Sequence, residues 1–286
     1  MDMRALLNAA LFLSFGSFAP VAASAADLQR GQYLVEALMA CDTCHTPRGA
    51  DGYDFSARFS GSSRIFTGKD YVARGSNISP DAETGVGAWS DETLGAAIVA
   101  GVGRKGALAP VMPSDSYRVL TANDLAAIIA FLRAAPPVKA KVSPPEHHGA
   151  GPAQSPPGGE VAFDEAALSD KIKRGFYIAS IARCLSCHSG EKDDKPDYAN
   201  MLGAGGKLFR SGDSAVVASN ITPHREHGVG AWSDAEIKRA ITQGVSRKGE
   251  PLRSPMSTLA RNHFAKMTPD DLDALVAYLR TMPAKD

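Results

Sequence analysis

The chain has 286 residues, 44% of them hydrophobic, and its 31 Lys+Arg balance its 31 Asp+Glu. This excludes a disordered polymer and a strongly basic nucleic-acid binder, so no nucleic-acid partner is expected. At about 100–200 residues per domain, the length suits two compact domains, each burying a modest core.

In chain order, Arg4 precedes an apolar run from Ala5 to Ala19, and Ala23-Ser24-Ala25 offers a small-x-small cleavage site. Residues 1–25 therefore read as a cleaved secretory signal peptide with the bacterial periplasm as address. The run is shorter than the roughly 20 residues that cross a bilayer, and Pro20 closes it, so an uncleaved anchor is the weaker reading. No other segment could span a membrane, leaving association only through a partner. A helix is expected before Cys41, and a second from Ser90 to near Gly101. A third starts at Thr121 and carries the stripe Leu125, Ile128, Ile129, Leu132 before Pro136 stops it. Residues 134–160 hold seven prolines with Gly149, Gly151, Gly158 and Gly159, the composition of an extended, semi-rigid connector. The same elements then recur: a helix before Cys184, one from the Ser233-x-x-Glu236 capping box to Gly244, and one from Thr268-Pro269 through Leu272, Leu275, Val276 and Leu279 to Pro283. No strong alternating strand pattern intervenes, so the expected class is all-α with long ordered loops.

The recurrence is a duplication. A shift of 143 residues lays CDTCH (41–45) on CLSCH (184–188), SNISP (76–80) on SNITP (219–223) and GVGAWSDE (85–92) on GVGAWSDA (228–235). RGQYL (30–34) falls on RGFYI (174–178) one residue out of step. Two long copies indicate duplicated domains rather than a solenoid. The expected division is a first domain at 26–135, a linker at 136–160 and a second domain at 161–286.

All four cysteines lie in two Cys-x-x-Cys-His motifs, Cys41, Cys44, His45 and Cys184, Cys187, His188, a signature of covalent haem attachment. On one helical turn, positions i and i+3 present both sulfurs to the same side, where they can form thioethers with two vinyl groups; the adjacent histidine then reaches the iron. Zinc would need further ligands that do not repeat between the copies. A thioredoxin-like pair would need a strand–helix context that is absent. For the opposite axial position, Met112 stands 67 residues after His45 and Met256 stands 68 after His188, both in proline-bearing loops. The second loop lacks the proline after Met and is three residues longer before the helix, so His263 and Met267 compete with Met256. His147 and His148 are a pair in the connector that a Pro/Gly-rich tract ordinarily exposes, and His224 and His227 lack counterparts in the first copy and read as surface residues.

On CxxCH, the Asn-Ile-(Ser/Thr)-Pro and Gly-Val-Gly-Ala-Trp-Ser-Asp runs, and Met112-Pro113 with Tyr117, the chain resembles the class I c-type cytochromes. It resembles more closely the cytochrome c subunits of periplasmic and membrane-bound dehydrogenases. The resemblance covers both copies and implies two tandem class I cytochrome c domains. It implies two covalent haem c groups with His45/Met112 and His188/Met256 as iron ligands, and electron carriage rather than catalysis. The donor would be a periplasmic or membrane-bound dehydrogenase, the acceptor another cytochrome or a terminal oxidase. The resemblance also gives Trp89 and Trp232 as donors to a haem propionate, against packed aromatics. Asn77 and Asn220 would brace that region, against turn residues, and Arg104 and Arg247 would pair with propionates, against solvated turns. Gly31 and Gly175 would permit a close helix crossing, met by Phe131 and Tyr278. The alternative function is a peroxidase-like haem oxidoreductase whose second domain has a labile axial position.

Overall fold

The computed structural model describes residues 24–49, 52–147, 154–193, 195–211 and 214–286. Most of the expected leader therefore lies outside the described residues, as does His148. Ser24 is described: it caps the first helix in a reciprocal box with Asp27. Among the described residues, eleven α-helical segments follow in order: α1 Ala25–Tyr33, α2 Asp42–His45, α3 Asp91–Val99, α4 Ser114–Tyr117, α5 Ala122–Ala134, α6 Lys171–Ile181, α7 Cys184–Cys187, α8 Tyr198–Met201, α9 Asp234–Gln243, α10 Met256–Asn262 and α11 Pro269–Thr281. Ser90, Ser233, Thr121 and Thr268 cap α3, α9, α5 and α11, as their sequence positions imply. No helix among the described residues is long and apolar enough to cross a membrane.

Each half is organised by one helix crossing. In the first, α1 lies across α5; in the second, α6 lies across α11. A Cβ on Gly31 would stand 2.0 Å from the carbonyl oxygen of Ala127 and 2.8 Å from Phe131 Cβ, and one on Gly175 would stand 2.1 Å from Ala274 O and 2.6 Å from Tyr278 Cβ. The crossing is thus backbone against backbone, with Phe131 and Tyr278 in the contact, as the resemblance implied.

The all-α expectation needs correction in the loops. Antiparallel hairpins occupy the stretch between each CxxCH motif and each Asn-Ile run: Ile65–Gly68 with Tyr71–Arg74, and Leu208–Ser211 with Ser214–Val217. Four residues are too few to register as an alternating pattern, and the remaining ladders have two. The connector is also more than a spacer. Asn77 and Ser79 hold the carbonyl of Val138, and Asn77 also holds that of Ala140. Glu146–His147 adds a third strand to the first hairpin. Proline-rich backbone cannot satisfy itself, so it borrows partners from the half it lies on.

The halves share one apolar core cluster and a reciprocal polar clamp. Tyr33 donates to Asp271 at 2.6 Å, and Tyr177 donates to Asp124 at 2.6 Å, each reaching the first turn of the other half's C-terminal helix. Asp124 also takes two bonds of 2.7 Å from Arg30, and Asp271 takes one of 2.6 Å from Arg174. The Thr268 N–H bonds the Tyr33 oxygen at 3.1 Å. Asp124 and Asp271, which look like capping acids in the sequence, therefore turn inward to an arginine of their own half and a tyrosine of the other. Burial, and then the bond to Asp271, push the Tyr33 phenol up to about 12, so it stays a donor.

Candidate functional site

Both CxxCH motifs fold as single helical turns, α2 and α7, entered from a residue in the left-handed region, Ala40 (φ 53°) and Arg183 (φ 61°). The four cysteines are unpaired thiols. Burial pushes those of Cys41 and Cys184 up to about 12, the wrong direction for a zinc ligand or a redox thiolate. No group of three or more His, Cys, Asp or Glu suited to a metal ion occurs among the described residues.

The histidines are oriented alike. Nδ1 of His45 donates to the Ser76 carbonyl at 2.7 Å, and Nδ1 of His188 to the Ser219 carbonyl at 2.7 Å. This bond fixes the tautomer and leaves Nε2 as the free lone pair, the arrangement a metal-binding imidazole requires. Burial holds both rings below their ordinary value, against the opposing pull of the serine carbonyls, so both are neutral at pH 7. The His45 carbonyl accepts from Gly61 N at 2.9 Å, and that of His188 from Gly205 N at 2.7 Å, which ties each motif to the loop beneath it. The serine carbonyls went unnoticed in the sequence, although the repeated Ser-Asn dipeptide marks their place.

In the second half, a cavity of about 350 Å³ is lined by Cys184, Cys187, His188, Trp232, Met256 and Met267. A neutral imidazole, a thioether and two thiols on one turn, in a mostly apolar hollow, fit a haem: the donor set matches the iron, and the apolar walls match the macrocycle. Of the three candidates opposite His188, His263 is ruled out by its bonds. Its Nδ1 donates to the Glu36 carbonyl at 2.7 Å, and its Nε2 accepts from the Tyr53 hydroxyl at 2.8 Å, both in the first half. Met267 is buried, and it precedes the cap Thr268 as the core residue Leu120 precedes Thr121. Met256 lies within one residue of the place of Met112 in the repeat: Ser257, the next residue, packs on Gly244 as Ser114, two residues after Met112, packs on Gly101. Met112 itself sits in a turn, its N–H bonded to Ala109 O at 2.9 Å.

His263 thus joins the halves, with a pH signature. Burial lowers its pKa from 6.5, outweighing the bond to Glu36. The folded state then favours the neutral ring, so this contribution is present above 6.5 and lost as pH falls towards the lower folded value. His263→Phe is expected to cost about 1–3 kcal/mol at pH 7, to lose less stability than the parent between pH 6.5 and 5, and to leave the visible spectrum unchanged. Urea titrations at several pH values, with spectra, check all three.

The remaining sequence candidates separate. Trp232 lines the cavity, Trp89 packs on Gly103, and neither indole N–H has a protein acceptor among the described residues. Their carbonyls are held by Arg280 and Arg133. Asn77 and Asn220 act as loop braces: each oxygen accepts from the residue two places on, and each amide nitrogen reaches backbone carbonyls, Val138 and Ala140 for Asn77 and Lys285 for Asn220. Arg104 and Arg247 are exposed, Arg247 paired with Glu236 at 3.4 Å, while Arg183 and Arg253, not singled out in the sequence, line the cavity. His227 is exposed and lies 3.3 Å from Asp286, and His224 accepts the His227 N–H.

Comparison with known proteins agrees with this geometry. Residues 172–283 match the cytochrome c family, and residues 26–132 match the family of cytochrome c oxidase, cbb3-type, subunit III. The chain is 26% identical to the gluconate 2-dehydrogenase cytochrome c subunit of Pantoea cypripedii, over 96% of this chain and 64% of that protein. It is 28% identical to the fructose dehydrogenase cytochrome subunit of Gluconobacter japonicus, over 93% of this chain and 54% of that one. A diheme cytochrome c-type protein of Cereibacter sphaeroides is 30% identical over 42% of this chain and 39% of its own length. The chain thus spans less than two thirds of the length of the two dehydrogenase subunits. Cytochrome c domains carry covalent haem c, for which the CxxCH turns supply the thiols and the imidazoles. The chain carries cytochrome c domains and, over more than nine-tenths of its length, is similar to the cytochrome c subunits of two dehydrogenases.

Proposed function

We propose that the chain is an exported, periplasmic dihaem cytochrome that takes electrons from a dehydrogenase and passes them to another cytochrome or a terminal oxidase. The carrying observation is the repeated site: two CxxCH turns, each with its histidine Nδ1 tied to a serine carbonyl at 2.7 Å and a methionine within one residue of the same place in the repeat. Cys41 and Cys44 would hold one haem and Cys184 and Cys187 the other, with His45/Met112 and His188/Met256 as iron ligands. When bound, the haem supplies a one-electron couple, and methionine ligation raises its potential relative to bis-histidine ligation. The chain's own groups keep the imidazoles neutral and aimed, exclude water with apolar walls, and leave no open position for substrate. The relatives that are dehydrogenase subunits support a dehydrogenase as donor. Two domains, numbered 26–135 and 161–286, with a signal peptide at 1–25, complete the reading.

The test is the visible spectrum of the purified protein, oxidised and reduced, with carbon monoxide added to the reduced form and haem counted by intact mass. Two covalent haems that ignore the gas support the carrier; one that binds it readily overturns the reading for that half. Met256→Ala is expected to take up about one carbon monoxide per chain, whereas Met267→Leu, which restores the residue found at Leu120, takes up none.

A further inference from the structure

The two loop hairpins keep one register across the 143-residue repeat: Ile65 faces Arg74 as Leu208 faces Val217, and Thr67 faces Val72 as Arg210 faces Ala215. Only the first hairpin is completed. Glu146–His147 of the connector lies on the outer edge of Tyr71–Arg74, with Glu146 opposite Val72 and His147 opposite Tyr71. The equivalent strand, Ser214–Val217, has no third strand among the described residues. Lys285 takes the place of Val138, its carbonyl held by Asn220 and Thr222 as that of Val138 is held by Asn77 and Ser79; the residues there repeat the start of the connector and not its strand. The open edge is polar backbone. The Ala218 N–H bonds the Lys207 carbonyl at 2.8 Å, which turns Ala218 towards the inner strand. Alternate residues of an antiparallel ladder turn the other way, so Val217 and Ala215 direct their N–H and C=O groups outward. The side chains beside them are apolar: Leu208 and Val217, a directly facing pair, are 43% and 56% exposed. An unpaired edge of this kind is a template for another strand. It also borders the second site, because Phe209, Val216 and Val217 line the cavity that holds Cys184 and His188.

We propose that the edge Ser214–Val217 is where a redox partner protein holds this chain, by adding an extended segment that bears a carboxylate at the position Glu146 has in the first half. This rests on the carrier reading above for the nature of the partner and adds the surface it uses. The repeat supplies the model of the occupant: a short extended segment, Pro144-Pro145-Glu146-His147, already fits the same edge of the same hairpin. Charge selects its side chain. Residues directly opposite in a sheet share a face, so the row Thr67, Val72, Glu146 of the first half becomes Arg210, Ala215 and the incoming residue in the second. Ala215 contributes a single methyl, and Arg210 is exposed. A guanidinium on its long stem can lie over that methyl and meet a carboxylate two strand spacings away, at about 4.8 Å each. Main-chain bonds give strand addition its affinity, and the side-chain row gives it selectivity. A partner seated here stands beside the second centre.

The test adds a synthetic peptide with the sequence of residues 139–148 to the mature holoprotein, with haem counted by intact mass, and follows amide hydrogen exchange by NMR. Binding is expected to slow the Ala215 and Val217 amides and to leave Val72, whose edge is already covered, unchanged. Arg210→Glu is expected to weaken binding by about fivefold, and the Glu146→Lys peptide to recover it on that variant. A peptide methylated on the backbone nitrogen of Glu146 keeps the charge, loses the ladder donor and should not bind. The proposal is overturned if neither amide slows at about 5 mM peptide, if Arg210→Glu binds both peptides as the parent does, or if the N-methyl peptide binds equally well. It is also overturned if the two amides are protected without peptide. Protection that grows with protein concentration assigns the edge to a second copy, and protection independent of concentration assigns it to another segment of this chain. A holoprotein with fewer than two haems removes the carrier reading itself, and the mass shows this apart from any exchange result.

Discussion

Gly175→Ala is expected to destabilise the second half by about 3 kcal/mol, and Gly31→Ala to do the same in the first. The added carbon would sit 2.1 Å from Ala274 O in the one case and 2.0 Å from Ala127 O in the other. A carbon and a carbonyl oxygen pack no closer than about 3.3 Å, so the helices must part by roughly 1 Å. The obstacle is backbone, which cannot rotate away as a side chain can. Parting α6 from α11 also loosens the core residues Leu275 and Leu279, which line the cavity around His188. A loss of this size is a large share of the 5–15 kcal/mol that a domain ordinarily has. Gly95→Ala provides the contrast. Its nearest neighbours would be side-chain methyls at 3.5 and 3.7 Å, so it is expected to gain about 0.5–1 kcal/mol from helix propensity. Urea unfolding followed by circular dichroism measures all three, and equal effects at the three glycines would refute the crossing argument.

Asp271→Asn and Asp124→Asn carry the second large effect, about 3 kcal/mol each. Both carboxylates are nearly buried, at 3% and 4% exposure, and each binds an arginine of its own half and a tyrosine of the other. The lower end of the range for breaking a buried pair applies, because the side chains of Arg174 and Arg30 are 36% and 37% exposed and can rehydrate. Tyr33→Phe and Tyr177→Phe remove only bonds between the halves, at about 1.5 kcal/mol for each hydrogen bond to a charged group, and Tyr33→Phe also takes the acceptor from the Thr268 N–H. The expected consequence is qualitative as well. The parent is expected to unfold in one transition, because two reciprocal bonds clamp the halves, and the double phenylalanine variant to separate into two. A double variant that still unfolds in one step, with its midpoint unmoved, would show that the apolar core alone joins the halves.

Much of this molecule was legible from residue order because the information is local. The CxxCH spacing places two sulfurs and an imidazole on one turn, whatever surrounds it. The Ser and Thr caps act within three residues, and the 143-residue shift exposes the duplication without any structure. Even the crossing at Gly31 and Gly175 was available from the resemblance. Local rules failed where a residue has two possible uses. Asp124 and Asp271 stand where a capping acid would, yet an arginine and a tyrosine compete for them and win, because a buried carboxylate requires charged or strong donors. The loop hairpins were missed because four-residue strands leave too little pattern.

The sequence by itself determined the attachment chemistry, the helix starts and the repetition, since each depends on neighbours along the chain. Tertiary structure decided what His263, Tyr33 and Tyr177 do, since their partners lie in the other half: Tyr33 and Asp271 are 238 residues apart, and His263 and Glu36 are 227 apart. The same imidazole that could ligate an iron on its own loop instead bonds a carbonyl and a phenol across the interface. Burial and partner geometry made that choice, and both arise only when the chain closes on itself.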